Sequence, residues 1–314
     1  MSVKSAQPIA QEQVSQGSTF HKQASQNYLN QRTNLPSTEV VLANIYWCHT
    51  TLQIRAQNLS SLQMQQVCEE LSRLNEQFHL IFDTQNKPVA DDHSDLLRVN
   101  IYADYQEYQK YAGFHFKIPT DNGGIFIEGE PEKIGNRAEF IVFEHQQKIW
   151  NLRHEYVHYL DARFNLYGDF CQILHDSHLP PENCPKPAPA LPHMIWWHEG
   201  MAEYLAKGDA HYKAFTIVSQ ASTQYVLSEL FNTSYVKNGG GRRVYYWGYF
   251  ASRYMLEQQR EKVEQMLSLL RQGETARYQA LVRQWGKSMD KDFAEWLDVL
   301  LRFRQNEIAY QFVQ

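Results

Sequence analysis

Apolar residues recur at two different spacings in the first half of the chain. Alternation at every second position predicts strands over residues 50–56, 96–102 and 138–143, with a further short strand over 125–128. Apolar residues spaced three and four apart predict helices over residues 59–78 and 105–111. The apolar face of the first of these helices is expected to consist of Leu62, Val67, Leu71, Leu74 and Phe78.

Helical periodicity dominates the second half. It predicts helices over residues 149–165, 194–207, 242–255, 256–270, 275–285 and 290–303. Residues 166–193 interrupt this series with a Pro-rich segment, and Pro fits neither a helix interior nor a central strand. We therefore expect a surface excursion there. The fold class is α+β, with an N-terminal mixed α/β part and a C-terminal all-α part.

The chain divides into three parts by composition and pattern. Residues 1–36 are rich in Gln, Ser and Asn and poor in aliphatic side chains, which predicts a mobile leader. Residues 37–165 form the predicted α/β subdomain, which ends in a helix that carries two histidines. Residues 166–314 form the predicted helical subdomain. With 314 residues, the chain is long enough for one large or two modest domains with a real core.

Composition excludes several classes of function. The net charge is −5 and no basic block occurs, which argues against nucleic acid or an anionic membrane as a partner. No apolar run approaches the roughly 20 residues that a membrane helix needs. The first residues also lack the apolar core of a signal peptide. Hydrophobic residues make up 43% of the chain and aromatic residues 13%, as expected of a globular protein.

Four cysteines allow three pairings. Their spacing favours Cys48 with Cys68 and Cys171 with Cys184, since each pair closes a short loop. Free buried thiols are the alternative that spacing leaves open. None of the cysteines has C-x-x-C spacing, so a thiolate zinc site is not expected.

The helix predicted over 149–165 contains the pattern H-E-x-x-H at His154, Glu155 and His158. Residues four apart lie on the same helix face, so both imidazoles can point at one metal ion. Two neutral imidazoles suit zinc, and a carboxylate beside them suits a general base. The pattern therefore favours a zinc peptidase, while a helix with two surface histidines is the alternative that so short a motif leaves open.

A second helix offers the third ligand. Glu199 and Glu203 are four apart, a spacing at which like charges repel, and Gly200 between them costs about 1 kcal/mol against Ala. The charge repulsion and the low helix propensity of Gly200 are both explained if Glu199 binds a metal and Glu203 orients a ligand. A solvated acidic face is the alternative. Asp161 and Phe164 occupy the Gly and His positions of the metzincin pattern, which excludes that class and leaves the gluzincin one.

Two further groups of residues are candidates for substrate binding and catalysis. Gly123 and Gly124 precede the short strand that begins at Ile125 and Phe126, where a substrate backbone could pair with the strand. An ordinary hairpin turn is the alternative. Tyrosines in the helix predicted over 242–255 could stabilise the oxyanion, or could simply be core aromatics. These tyrosines are Tyr245, Tyr246 and Tyr249.

Four motifs together resemble the peptidase domain of vibrio-type bacterial collagenases. They are HEYVHYLD from His154, WWHEGMAEY from Trp196, TDNGG from Thr120 and YWGY from Tyr246. The resemblance extends from about Cys48 through Met255.

The resemblance implies the gluzincin, thermolysin-like fold and a specific set of site residues. Zinc would be bound by His154, His158 and Glu199, with Glu155 as base and acid and Glu203 orienting a ligand. The substrate strand would lie along residues 123–128. The resemblance further implies secretion, and so a disulfide between Cys48 and Cys68, and a structural calcium whose ligands the sequence does not assign.

The expected function is that of a secreted zinc endopeptidase. It would hydrolyse peptide bonds in collagen, gelatin or collagen-like peptides, with Glu155 activating a zinc-bound water. We expect it to be a monomer. One alternative is a catalytically silent module that binds matrix or peptides on the same fold. A zinc hydrolase acting on small amides is a weaker one.

Overall fold

A computed structural model describes residues 35–169, 194–235 and 237–311, with backbone only for 305–311. The predicted leader therefore lies outside the described residues except for its last two positions. Cys171, Cys184 and all of the predicted surface excursion except residues 166–169 also lie outside them. The class is α+β, as predicted, with one mixed sheet and many helices.

The described residues contain six strands, which all precede residue 151 and form one sheet. They are β1 (Asn44–His49), β2 (Leu52–Ala56), β3 (Leu96–Tyr102), β4 (Ile125–Ile127), β5 (Arg137–His145) and β6 (Lys148–Trp150). The order is β1-β2-β3-β5-β4, and β6 also pairs with β5. The pairs β2–β3 and β3–β5 are parallel, whereas β1–β2, β4–β5 and β5–β6 are antiparallel. The short strand β4 thus lies at one edge of the sheet.

Helices make up most of the remaining described chain. They are α1 (Thr38–Val41), α2 (Ser61–Phe82), α3 (Tyr105–Phe116), α4 (Leu152–Asn165), α5 (Ile195–Lys207), α6 (Tyr212–Ser219), α7 (Leu227–Leu230), α8 (Gly248–Gln258), α9 (Arg260–Leu270), α10 (Thr275–Trp285) and α11 (Asp290–Gln311). A 3-10 turn over Gly208–Ala210 follows α5, and a π-helical segment over Arg242–Trp247 leads into α8.

The sheet separates two apolar clusters. Alternate residues of the central strand β3, namely Leu97, Val99 and Ile101, pack with α2, α4 and the C-terminal helices in one large cluster. Tyr102 and α3 belong to a smaller cluster with Ile141 and Phe143 of β5. The large cluster runs continuously from the strands into α5, α8 and α9, so the helical half and the sheet share one core.

Several sequence predictions need correction. Leu62 is 65% exposed, whereas the other four residues predicted for the apolar face of α2 are buried. Met64 extends that face by one position in place of Leu62, because it lies three residues before Val67. The strands β1 and β6 and the helices α1, α6 and α7 were not predicted. Strand β6 takes residues 148–150, so α4 starts later than predicted, at Leu152.

A disulfide joins Cys48 of β1 to Cys68 of α2. The structure thus contains this one of the two predicted pairs and ties the edge strand to the helix that covers the sheet. No helix in the described part of the chain has the length and apolar character needed to cross a bilayer.

Candidate metal centre

Helix α4 carries the H-E-x-x-H pattern and is almost wholly buried. Asn151 precedes it in the left-handed region, with a φ of 56°, which turns the chain sharply from β6 into the helix. Arg153 then donates from Nε to the carbonyl of Ala206 at 2.9 Å and from Nη2 to that of Leu205 at 3.1 Å. The first turn of α4 is therefore tied to the last turn of α5, where carbonyls lack partners within the helix.

Helix α5 brings Glu199 and Glu203 to the same place by packing closely on α8. A Cβ atom at Gly200 would lie 2.2 Å from the carbonyl oxygen of Gly248 and 2.7 Å from Ser252 Oγ. Only glycine permits this approach of two helix backbones. The structure thus gives Gly200 a packing role, which corrects the interpretation that its cost reflects metal binding.

Three donor atoms from the two helices face one another. Nε2 of His154 lies 3.0 Å from Nε2 of His158 and 3.1 Å from Oε2 of Glu199, and the third distance, between His158 Nε2 and Glu199 Oε2, is 3.7 Å. Tetrahedral zinc with bonds of 2.0–2.1 Å separates its ligand atoms by about 3.3 Å. Two imidazoles and a carboxylate form a common donor set for catalytic zinc. The residues therefore fit the metal that the sequence predicts.

The electrostatics of these side chains favour a cation between them. Burial acts to lower the pKa of His154, but hydrogen bonds to Glu199 and Glu203 outweigh it and raise that pKa to about 10. Burial alone would raise the pKa of Glu199, yet its hydrogen bonds to His154 and His158 hold it well below the usual value. The negative charge of Glu199 and Glu203, which stabilises the protonated imidazole, would also stabilise a metal ion that displaces this proton.

Glu203 lies behind His154 rather than in the ligand set. Its Oε1 is 3.2 Å from His154 Nδ1, the ring nitrogen that faces away from the cluster, and its Oε2 is 3.0 Å from Nε2 of His211. A carboxylate in this position keeps the proton on Nδ1 and leaves Nε2 free to bind a metal. Glu203 is thus in contact with a predicted ligand but is not one of the three converging donors.

Glu155 is buried beside the three donors and faces the glycine pair. It is 4% exposed, and burial raises its pKa. A Cβ atom at Gly124 would lie 3.0 Å from Oε1 of Glu155. Gly123, Gly124, Ile125 and Phe126 all line a cleft of about 760 Å³ together with the donors and Glu155. The cleft thus brings the predicted base, metal ligands and strand together.

The amino-acid sequence of the chain is similar to those of known proteins. The chain matches the model of the Peptidase M9 family, described as collagenase, over residues 9–296. The chain belongs to this collagenase family.

Its similarity to individual collagenases covers most of this chain but a small part of theirs. It is 39% identical over 267 residues to a microbial collagenase of Vibrio alginolyticus, which covers 83% of this chain and 30% of that protein. The microbial collagenase of Vibrio parahaemolyticus is 36% identical over 264 residues, with the same two shares of 83% and 30%. Collagenase ColT of Clostridium tetani is 26% identical over 245 residues, 73% of this chain and 22% of that protein. This chain therefore spans about 30% of the length of the Vibrio relatives.

The three candidate tyrosines occupy different places in this collagenase-family chain. Tyr245 lines the cleft at 36% exposure, with its ring centre 6.1 Å from that of His154. Tyr246 also lines the cleft, but its ring lies against His211 and 5.6 Å from Lys213 Nζ. Tyr249 is fully buried, and its hydroxyl donates to the carbonyl of Gly208 at 2.9 Å. The structure thus separates Tyr249 from the cleft.

Three residues of the collagenase cleft were not predicted from the sequence. The ring of His198 stacks on His158 with centres 4.0 Å apart. The hydroxyl of Tyr235 donates to Oε1 of Glu199, and His211 contacts Glu203. His198 directly precedes the predicted ligand Glu199 in the chain, and this position could have marked it as a site residue. Tyr235 and His211 belong to no motif, so only the tertiary structure places them here.

Proposed function

We propose that this chain is a zinc endopeptidase that cleaves peptide bonds in collagen, gelatin or collagen-like peptides. The observation that carries the proposal is the convergence of His154 Nε2, His158 Nε2 and Glu199 Oε2, with the carboxylate of Glu155 buried beside them. Membership of the collagenase family and similarity to microbial collagenases support collagen and its fragments as the substrate class.

Zinc, when held by these three side chains, would supply a Lewis acid and lower the pKa of a water to about 7. Glu155 would accept a proton from the attacking water and later give it to the leaving amine. Burial places this carboxylate in a site of low dielectric, where a charge has a larger effect than in water. The proton acceptor in this mechanism is the Glu155 side chain.

Tyr245 is the preferred donor for the oxyanion. The charge of Glu199, followed by burial, holds the pKa of Tyr245 well above its usual value, so its hydroxyl keeps its proton. A protonated phenol beside the metal site can donate a hydrogen bond to negative charge that develops on the substrate carbonyl. The geometry favours Tyr245 over Tyr246 and Tyr249, whose surroundings are Lys213 and the Gly208 carbonyl.

The substrate would bind in an extended form along β4. This strand lies at the sheet edge and pairs on one side with β5, so an extended peptide can add to its other side by main-chain hydrogen bonds. Gly123 and Gly124 lead into the strand and line the same cleft as Glu155. Side chains at these two positions would narrow the path of the peptide backbone.

We also propose that the chain has the gluzincin arrangement of two subdomains. A third ligand on a second helix, 41 positions after His158, is the gluzincin arrangement, with residues 37–165 and 166–314 as the two subdomains on either side of the cleft. Secretion is supported by the Cys48–Cys68 disulfide, since disulfides persist in oxidising compartments. A structural calcium and a monomeric state are also part of the proposal.

The test is cleavage of a quenched fluorescent collagen-type peptide before and after treatment with a zinc chelator. We expect cleavage to stop with chelator and to return with added zinc. In Glu155→Gln we expect stoichiometric zinc but a loss of turnover, because an amide cannot accept the proton. Glu69→Gln, an exchange at an exposed position of α2, is the matched control.

Two outcomes would contradict the proposal. Full activity of Glu155→Gln would exclude Glu155 as the base. Tight peptide binding without any cleavage by the zinc-loaded wild-type chain would favour the alternative of a catalytically silent binding module.

A further inference from the structure

Three buried side chains lie in contact in the order His154, Glu203 and His211, and the first of them is one of the proposed metal ligands. Nδ1 of His154 lies 3.2 Å from one oxygen of Glu203, and Nε2 of His211 lies 3.0 Å from the other oxygen. The three residues are 4%, 8% and 8% exposed. The Glu203 carboxylate thus lies between two imidazoles, each with a nitrogen within 3.2 Å of one of its oxygens. His211 therefore restrains the carboxylate from the side opposite His154.

The turn that carries His211 is held in place by α8. The hydroxyl of Tyr249 donates to the carbonyl of Gly208 at 2.9 Å, and Nη1 of Arg253 donates to that of Asp209 at 3.0 Å. The same Nη1 donates to the Tyr249 hydroxyl at 3.0 Å, which joins the two anchors. Carbonyls just past a helix end lack partners within the helix, so these bonds decide where the turn lies.

The ring of His211 is also restrained by aromatic packing. Its centre is 5.2 Å from that of Tyr249 at an interplanar angle of 82°, and 5.8 Å from that of Tyr246 at 60°. Both pairs have the edge-to-face arrangement that aromatic rings prefer at such distances. Rotation of the imidazole away from Glu203 would break both ring contacts. The contact with Glu203, the anchored turn and the packing of the ring therefore support the same orientation of His211.

We infer that His211 is a positioning residue of the metal centre, which acts on His154 through Glu203, and that Tyr249 and Arg253 act through the turn that carries His211. The inference rests on the proposed zinc site. His211 holds Glu203, and Glu203 keeps the proton of His154 on Nδ1, so that Nε2 presents its lone pair to the metal. Tyr249 thus has a structural task in place of the catalytic one considered from the sequence.

The expected effect is on zinc affinity as well as on activity. Partners in direct contact with a metal ligand typically contribute about 10- to 100-fold in metal affinity. His211 lies one contact further away, so we expect its removal to weaken zinc binding by up to about 10-fold. Exchange of Tyr249 should have a smaller effect in the same direction, because the turn keeps its bond to Arg253.

The experiment compares His211→Phe, which keeps an aromatic ring but removes the nitrogens, with His211→Gln, which keeps an N–H donor. Zinc dissociation constants are measured by competition with a fluorescent chelator, and melting temperatures are measured on the zinc-free chains. We expect weaker zinc binding in His211→Phe, recovery of most of the affinity in His211→Gln, and an intermediate value in Tyr249→Phe. The matched control is His79→Phe, since His79 lies on α2 outside the cleft.

Activity measurements complete the test. At limiting zinc, the activity of His211→Phe should fall with its zinc occupancy, whereas the control His79→Phe should keep the activity of the wild type. A zinc affinity of His211→Phe within about twofold of the wild type would overturn the inference. So would an equal loss in His211→Gln, or a loss that simply follows a lower melting temperature. A wild-type chain that binds no zinc would instead refute the proposed zinc site itself.

Discussion

Gly124 lies directly against the carboxylate of Glu155. A Cβ atom added at Gly124 would come within 3.0 Å of Glu155 Oε1, 3.1 Å of Val142 Cγ1 and 3.2 Å of the Ile141 carbonyl oxygen. Its φ of 153° also falls in a region that other residues rarely adopt. The position therefore requires glycine for two reasons, backbone conformation and close approach to the proposed base.

Gly124→Ala should lower kcat/KM by about 10- to 100-fold, because displacement of a catalytic group by a fraction of an ångström is costly. Gly135→Ala is the matched control, since Gly135 has a φ of 82° but no atom within 4 Å of its added Cβ. Both exchanges should destabilise the fold by about 1–2 kcal/mol through backbone strain. Urea unfolding and peptide kinetics separate the two effects, and equal activity in both variants would refute a role for the Glu155 contact.

Tyr245→Phe should lower kcat by about 100- to 1,000-fold at saturating zinc, the loss typical for one oxyanion donor. Its ring lies beside His154 and its hydroxyl remains protonated, so Tyr245 is the best placed of the three tyrosines that the sequence predicted as donors. Kinetics of the three single Tyr→Phe variants at positions 245, 246 and 249 decide the assignment. A large loss of kcat in Tyr246→Phe together with a small one in Tyr245→Phe would reverse it.

Gly200→Ala should destabilise the fold by about 2–3 kcal/mol, because the new methyl group would overlap the Gly248 carbonyl, which belongs to helix backbone. Gly113→Ala in α3 is the control. Its added Cβ would meet the Ile118 carbonyl oxygen at 3.3 Å, so the helix propensity of Ala should leave stability unchanged or raise it by up to about 1 kcal/mol. Urea denaturation measures both, and a neutral Gly200→Ala would contradict the packing role.

Asp161 is a fully buried carboxyl group on the side of α4 that faces the core. Its Oδ1 accepts a hydrogen bond from Asn165 Nδ2 at 2.8 Å, and Asn165 Oδ1 accepts one from Arg271 Nη2 at 2.7 Å. Burial raises the pKa of Asp161 to about 6. The folded chain binds this proton more tightly than the unfolded chain. The free energy of unfolding therefore decreases as pH rises from about 4 to 6 and Asp161 ionises.

Stability of the wild type relative to Asp161→Asn should therefore increase as pH falls from 7 to 4. The shift of about two pKa units corresponds to about 2–3 kcal/mol, since one unit is worth 1.36 kcal/mol. Urea unfolding in the presence of a chelator measures this difference without a contribution from zinc release. A difference between the two chains that does not change with pH would show that the pKa of Asp161 is unshifted.

Local spacing explains which parts of the site were predictable. His154 and His158 share a helix face whatever the rest of the fold, and Glu199 and Glu203 do the same on α5. The central strands were predictable because residues such as Leu97, Val99 and Ile101 alternate with polar ones. Strand β1 escaped prediction because residues 45–48 are apolar on both faces and show no alternation. Ile45 and Trp47 are exposed at the sheet edge, while Tyr46 and Cys48 pack against the large apolar cluster.

The sequence by itself determined the α+β class, the two helices that carry the proposed zinc ligands, and the chemistry of their side chains. Each of these depends on residues within about one or two helical turns of one another, so periodicity reveals them. The tertiary structure alone decided which tyrosine faces the metal donors, why Gly200 is required, and that His211 supports Glu203. Those relationships join residues on separate elements, and their distances follow from how helices pack on one another, which no local pattern in the chain encodes.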